Sequence, residues 1–386
     1  MDTKNQTKVC EYVSFGHPDK VADQISDALL DEYLKEDAHT RAGIEVMVKD
    51  NIVVLGGEVN TTTDINAEAV IRRVFSDLHY PANHHLSPNE IKVVNLIGRQ
   101  SPEISQSVDK QDGTVGAGDQ GFMVGFASNE TDEYMPLGVY LAKHLCEQVT
   151  TIKDLGPDCK TQVTIDYADE QPKIRSILVS TMHQCQLEEC RQRVTDKVRQ
   201  WLKDNGYSVG TDIIVNPSGD WHTGGSVSDC GMTGRKIVVD HYGSYAPVGG
   251  GNLHGKCMSK VDRSGSYMAR YLAKNIVAAE LADTAKVELA YMIGCPKPSS
   301  VNIELNRNAS LVPQLLSWIE EHVDLSVSGI IKRFDGGLPR YYTTARKGHF
   351  GISEREMQQN EQLAVIYPWE KTDIAEQMKN EITLGE

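Results

Sequence analysis

The chain has 386 residues, of which 40% are hydrophobic and 24% charged, enough for a large buried core and two or three domains, which excludes a disordered protein. Thirty-nine lysines and arginines face 54 acidic residues, a formal charge of −15; a broad nucleic-acid surface is excluded, and any anionic ligand needs a local cationic cluster. The longest apolar runs, such as Ile52 to Leu55 and Ile237 to Val239, are far shorter than the roughly 18 residues of a membrane helix, and the polar start Met1 to Gln6 carries no signal-peptide core, so no membrane association is expected and the cytoplasm is the expected compartment.

A short strand, Val9 to Val13, precedes Pro18, which is well placed in a first helical turn. Val21, Ile25, Ala28, Leu29 and Tyr33 then recur at helical spacing, predicting a helix over 18–35. Alternation from Ile44 to Val48, an Asp50-Asn51 turn and the run 52–59 predict a β-hairpin. A helix over 64–78 and a mostly buried strand over 91–97 complete the order β-α-β-β-α-β. That order recurs in strand 121–126, helix 136–150, strands 160–167 and 173–182, helix 187–204 and strand 212–215. It begins a third time with strand 236–242, helix 264–282, strands 285–293 and 299–305 and a helix near 312–322.

The fold class expected is therefore α/β of the α+β type: three related units, their sheets packed together around a pseudo-threefold arrangement. The expected units are 8–107, 119–223 and 224–386, with a mobile, glycine-rich loop at 108–118. Uncovered sheet faces would need burial against one another or a second subunit. The segment 352–366 reads as an exposed helix or surface insertion. The eight cysteines contain no C-x-x-C pair, which argues against a cysteine zinc site and a disulfide framework.

Three stretches could carry chemistry. Gly16-His17-Pro18-Asp19-Lys20 sets a histidine, a carboxylate and an ammonium beside the free N–H groups of a helix start, which suits phosphate with magnesium; an ordinary helix start explains it equally well. Gly116-Ala117-Gly118-Asp119-Gln120-Gly121 allows a tight path around one carboxylate, but precedes a strand and so is no dinucleotide fingerprint. Gly249-Gly250-Gly251-Asn252-Leu253-His254-Gly255-Lys256, with Lys260, Asp262 and Arg263, reverses the local charge and has no evident packing reason for its glycines. Backbone approach plus lysines plus one aspartate fits a magnesium-bound polyphosphate. No G-x-S-x-G elbow, H-E-x-x-H or kinase motif pair is present, so the inventory favours charge stabilisation of a polyphosphate over a protein nucleophile.

Taken together and in this order, the three motifs resemble the S-adenosylmethionine synthetase (methionine adenosyltransferase) family nearly end to end. Gly56-Gly57-Glu58, Gln100-Ser101-Pro102, Asp229-Cys230-Gly231, Thr233-Gly234-Arg235-Lys236, Gly348-His349-Phe350-Gly351 and Pro368-Trp369-Glu370-Lys371 match as well. The resemblance implies attack of the methionine sulfur on C5′ of ATP, release of triphosphate and its hydrolysis to phosphate and diphosphate. It also implies two Mg2+ per site and K+, and at least a homodimer with shared sites, or a homotetramer. By position, His17 would lie against the triphosphate and Asp19 and Asp262 would hold Mg2+. Lys173, Arg235, Lys236 and Lys256 would neutralise phosphate, with Trp221, Asp229 and Asn252 also at ATP. Glu45 would bind K+, Glu58, Gln100, Asp229 and Lys260 methionine, and Asp119 would face the sulfur.

The chain departs from the family where Pro217-Ser218-Gly219-Asp220-Trp221-His222 stands in place of a Gly-Arg-Phe sequence, so that Asp220 replaces a cation. That departure motivates an alternative, a catalytically weak homologue that binds adenosyl ligands or serves as a partner subunit. A metal-dependent polyphosphatase is a further alternative, against which Glu58 and Gln100 stand.

Overall fold

The computed structural model describes residues 7–81, 86–99, 115–169, 171–208 and 210–382. Its strands are β1 (Thr7–Val13), β2 (Arg41–Lys49), β3 (Ile52–Asn60), β4 (Lys92–Asn95), β5 (Gly121–Ser128), β6 (Leu155–Asp166), β7 (Lys173–His183), β8 (Asp212–Val215), β9 (Gly231–Met232), β10 (Thr284–Tyr291) and β11 (Ser300–Leu305). The long helices are α1 (Pro18–Glu36), α2 (Ala67–Asp77), α3 (Leu137–Thr150), α4 (Leu187–Asp204), α5 (Val261–Ala278) and α6 (Val312–His322).

The three expected units are present, but each sends its first strand into a neighbour's sheet. The sheets run β4-β3-β2-β9, β1-β6-β7-β8 and β11-β10-β5. Thus β1 joins the second unit, β5 the third and β9 the first, a cyclic exchange that ties the units together. The motif 16–20 opens α1 and the motif 249–256 runs up to α5, whereas the motif 116–121 leads into the exchanged strand β5.

Two expected elements differ. The strand at 236–242 is instead a helical turn, Ile237–Asp240, closed by the Asp240 N–H on the Lys236 carbonyl; the exchanged strand is β9, just upstream. The mostly buried strand at 91–97 is the edge strand β4, parallel to β3, with Val94 and Leu96 exposed. The segment 352–366 forms two short helices, Glu354–Gln359 and Glu361–Ile366, the first opened by a capping box on Ser353 and Glu356.

Helix α5 is buried along nearly its whole length, with its cations included. Arg270 and Lys274 meet the Glu370 carboxylate at 2.8 and 2.7 Å. Burial alone would raise Glu370, but the two cations hold it down to about 2. Each sheet buries one face under its helices, as in β2, where Ala42, Ile44, Val46 and Val48 are buried while Glu45 and Met47 face out. Val9, Met47, Ile52, Phe122 and Ile214 are left exposed on strands of all three sheets.

Candidate active site

Helix α1 carries Asp19, Asp23, Asp27 and Asp31 four residues apart, and this spacing stacks them on one buried face. Asp31 accepts the backbone N–H groups of Arg340, Tyr341 and Tyr342 at 2.8 to 2.9 Å, closing the start of the helix Tyr341–Lys347. Asp27 meets the Arg263 guanidinium at 2.5 Å and the Gly255 N–H at 2.8 Å. Asp23 accepts the Gly234 N–H at 3.0 Å and lies 3.1 Å from Lys20 and 3.3 Å from His254. These bonds fasten the loops 229–236 and 249–263 along the second and third turns of α1.

Asp19, at the open end of the stripe, accepts the Met232 N–H at 3.0 Å and the Lys236 ammonium at 2.5 Å, with Arg235 3.6 Å away. His17 caps the helix, and its Nδ1 accepts the Asp19 N–H at 3.2 Å. With Nδ1 accepting, the neutral ring carries its proton on Nε2. Burial, aided by the charges of Lys160 and Lys236, pushes the imidazole down to about 3, so His17 is a neutral hydrogen-bond donor and not an imidazolium.

The loop before α1 rests on 157–159. Ser14 Oγ donates to the Pro157 carbonyl at 2.5 Å, Gly16 N–H donates to the same carbonyl at 3.2 Å, and a Cβ on Gly16 would stand 2.4 Å from the Pro157 carbonyl carbon. That approach brings Asp158 and Lys160 to the group, two residues that sequence reasoning missed. Asp158 is buried and accepts the Gly225 N–H at 2.7 Å; burial raises it to about 7 against the opposing pull of Lys160. Lys160 pairs with Val13 in the β1–β6 register. The available signal was two charged side chains, Asp158 and Lys160, inside a strand.

Lys173 is not brought there. It opposes Asp166, which opposes Thr7, at the far end of β1 from Val13; six residues of strand separate the ends by about 20 Å. The Lys173 side chain is exposed and paired with Asp169 at 2.5 Å. Register therefore puts Lys160, not Lys173, beside His17.

A second group forms around the glycine loop. Asp262 accepts the Gly251 N–H at 2.8 Å and the Lys256 ammonium at 2.6 Å. The glycines do have a packing reason: a Cβ on Gly249 would stand 2.8 Å from the Phe122 carbonyl of β5. Asn252 uses its side chain on its own loop, accepting the His254 N–H and donating to the His254 carbonyl at 3.0 Å each. Lys260 passes Gly118, whose added Cβ would lie 3.1 Å from its Cδ, and Gly43, 3.9 Å from its Cε. Gly43 pairs with Glu58 in β3, and the exposed Asp119 follows Gly118, so Lys260, Glu58 and Asp119 share this side.

Of the remaining residues, Asp229 is exposed and accepts the Cys230 N–H at 2.8 Å, while Glu45 accepts the Thr233 hydroxyl. Gln100 and residues 108–114 lie outside the described residues. The rest of the expected mobile loop is anchored: Ala117 N–H bonds the Cys295 carbonyl at 2.9 Å and Gly118 N–H the Ser259 carbonyl at 3.2 Å. Trp221 donates its indole N–H to the Thr223 carbonyl at 2.7 Å. Asp220 faces two imidazoles, His183 at 3.6 Å and His222 at 3.7 Å, rather than any lysine described above.

Three family models match this chain: the N-terminal domain of S-adenosylmethionine synthetase over residues 5–102, its central domain over 114–221 and its C-terminal domain over 223–362. The chain belongs to the S-adenosylmethionine synthetase family. It is also similar to a solved structure, an unusual S-adenosylmethionine synthetase from Campylobacter jejuni, with a TM-score of 0.84 and 35% identity over 98% of this chain and 100% of that one. The three-domain α/β fold is that of the family, and the activity is methionine adenosyltransferase: synthesis of S-adenosylmethionine from ATP and methionine. Among the described residues no helix is long and apolar enough to cross a membrane.

Proposed function

We propose that the synthesis runs on two half-sites, each built around a carboxylate neutralised by a lysine, and that a homodimer brings the half-sites of opposite chains together. The observation that carries this reading is the matched pair Asp19–Lys236 and Asp262–Lys256, at 2.5 and 2.6 Å. In each a buried aspartate holds an ammonium that reaches the surface, so each pair can divide into a cation-binding carboxylate and a phosphate-binding lysine. The carboxylate oxygens are hard donors of the kind Mg2+ takes, and Glu45 with the Thr233 hydroxyl offers hard oxygens for K+. Bound Mg2+ would supply neutralisation of the triphosphate charge as it leaves.

Sulfur attack on C5′ needs no general base, because a thioether has no proton to lose; the chain's task is to align the sulfur and stabilise the leaving group. His17 Nε2–H, Lys160, Arg235 and Lys236 face the triphosphate in this reading, with Lys256 from the second half-site. Lys260, Glu58, Gln100 and Asp229 hold methionine, Asp119 favours the developing sulfonium charge, and Trp221 stacks on adenine. The exposed apolar side chains on all three sheets support the second subunit, since a face of that character needs cover. Assay of the purified protein with ATP, L-methionine, Mg2+ and K+ tests the reading. S-adenosylmethionine, phosphate and diphosphate in equal amounts are expected; ATP hydrolysis without sulfonium product would overturn it.

A further inference from the structure

The loop Asp220-Trp221-His222 folds back on the end of β7 and brings three metal-ligand side chains together. Asp220, His183 and His222 present one ligand atom each, all within 4.8 Å of one another. Their tautomers are fixed from outside. His183 Nδ1 lies 2.9 Å from the Cys185 carbonyl and His222 Nδ1 lies 2.9 Å from the His183 carbonyl. A carbonyl only accepts, so both Nδ1 atoms carry protons and both Nε2 atoms are left as acceptors. An imidazole whose other ring N–H is tied to a backbone carbonyl is the arrangement metal-ligating histidines use.

One carboxylate oxygen lies near both acceptors, Asp220 Oδ1 being 3.6 Å from His183 Nε2 and 3.7 Å from His222 Nε2. Those distances are too long for hydrogen bonds. They are close to the roughly 3.3 Å between donors around a tetrahedral ion with bonds of about 2.0–2.1 Å. His183 Nε2 accepts the Trp221 N–H at 3.3 Å, a long hydrogen bond that a bound ion would replace. His183 is fully buried, whereas Asp220 and His222 have side chains 55% and 57% exposed, so one ligand is preset and two can close over an ion from solvent. A second histidine and aspartate group, Asp240, His254 and His349, has no such need, because the Lys20 ammonium sits 2.7 Å from Asp240 and 3.4 Å from His254.

We propose that His183, Asp220 and His222 bind a divalent transition-metal ion of the zinc class, with its remaining positions open to water. Two imidazole nitrogens and one carboxylate select such an ion over Mg2+, which prefers all-oxygen sites. The bound ion neutralises Asp220 one residue from Trp221 and fixes the 220–222 loop to the end of β7.

Cobalt is the probe, because its visible bands report ligand type. The purified protein is titrated with Co2+ in excess Mg2+, which fills hard oxygen sites, alongside His222→Ala and Asp220→Asn. Both changes are at exposed positions and leave the buried His183 in place. The expected result is one Co2+ per chain without thiolate charge-transfer absorption, displaced by Zn2+, and weakened at least about tenfold in each variant. No binding, equal binding by wild type and both variants, or thiolate absorption would each overturn the proposal.

Discussion

Along α1 one residue type recurs every four positions, yet the outermost aspartate and the inner ones are held differently. Asp27 and Asp31 meet a buried guanidinium and backbone N–H groups, partners that do not move away in the folded chain. Asp19 meets one backbone N–H and two side chains, of which Lys236 is one-fifth and Arg235 one-half exposed. Burial of the carboxylate alone therefore does not set Asp19 apart; the exposure of its side-chain partners does. Asp262 with Lys256 repeats the Asp19 arrangement at the start of α5.

The sharpest way to break this comparison is to exchange the consequences. Asp27→Ala should cost about 3–5 kcal/mol in urea unfolding, because it strands the buried Arg263 without its counter-charge. A loss below 1 kcal/mol would make the inner stripe dispensable. Asp19→Asn should instead leave the unfolding midpoint nearly unchanged and reduce kcat at least about 100-fold. A variant that unfolds early would place Asp19 with the frame. Next in size, Lys160→Met should lower kcat/KM for ATP by about tenfold or more, while Lys173→Met stays within about twofold of wild type in the same assay. Equal losses would contradict the strand register.

A further effect concerns protons. His17 has a folded-state value of about 3, below its ordinary 6.5, so as pH falls the unfolded chain takes up this proton first. Its contribution to stability is complete above pH 6.5 and is lost as pH falls toward 3. His17→Asn should flatten the stability profile between those limits, and an unchanged slope would mean that His17 is not held neutral.

The legible parts of the site were local. His17, Asp19 and Lys20 stand within one helix start, and Lys256, Lys260 and Asp262 within one loop, so short spacing brought them together without knowledge of the fold. Asp158 and Lys160 were missed because strand register, not sequence proximity, carries them to His17. Asp23, Asp27 and Asp31 were legible as spacing but hidden by the apolar residues between them, since α1 is buried on both faces. The unit order followed from hydrophobic periodicity. The strand exchange did not, because pairing of β1 with β6 spans well over a hundred residues and leaves no local mark.

The central claim, that each site joins Asp19 of one chain with Asp262 of the other, is tested by mixing two inactive proteins. Asp19→Asn and Asp262→Asn chains are co-expressed with different tags, and the doubly tagged dimer is purified and assayed for S-adenosylmethionine. If the half-sites come from opposite chains, one site in that dimer carries both changes and the other carries neither, so about half of the wild-type turnover per dimer returns. Activity no higher than in the two parent variants would show that both aspartates serve a site within one chain, and would contradict the account.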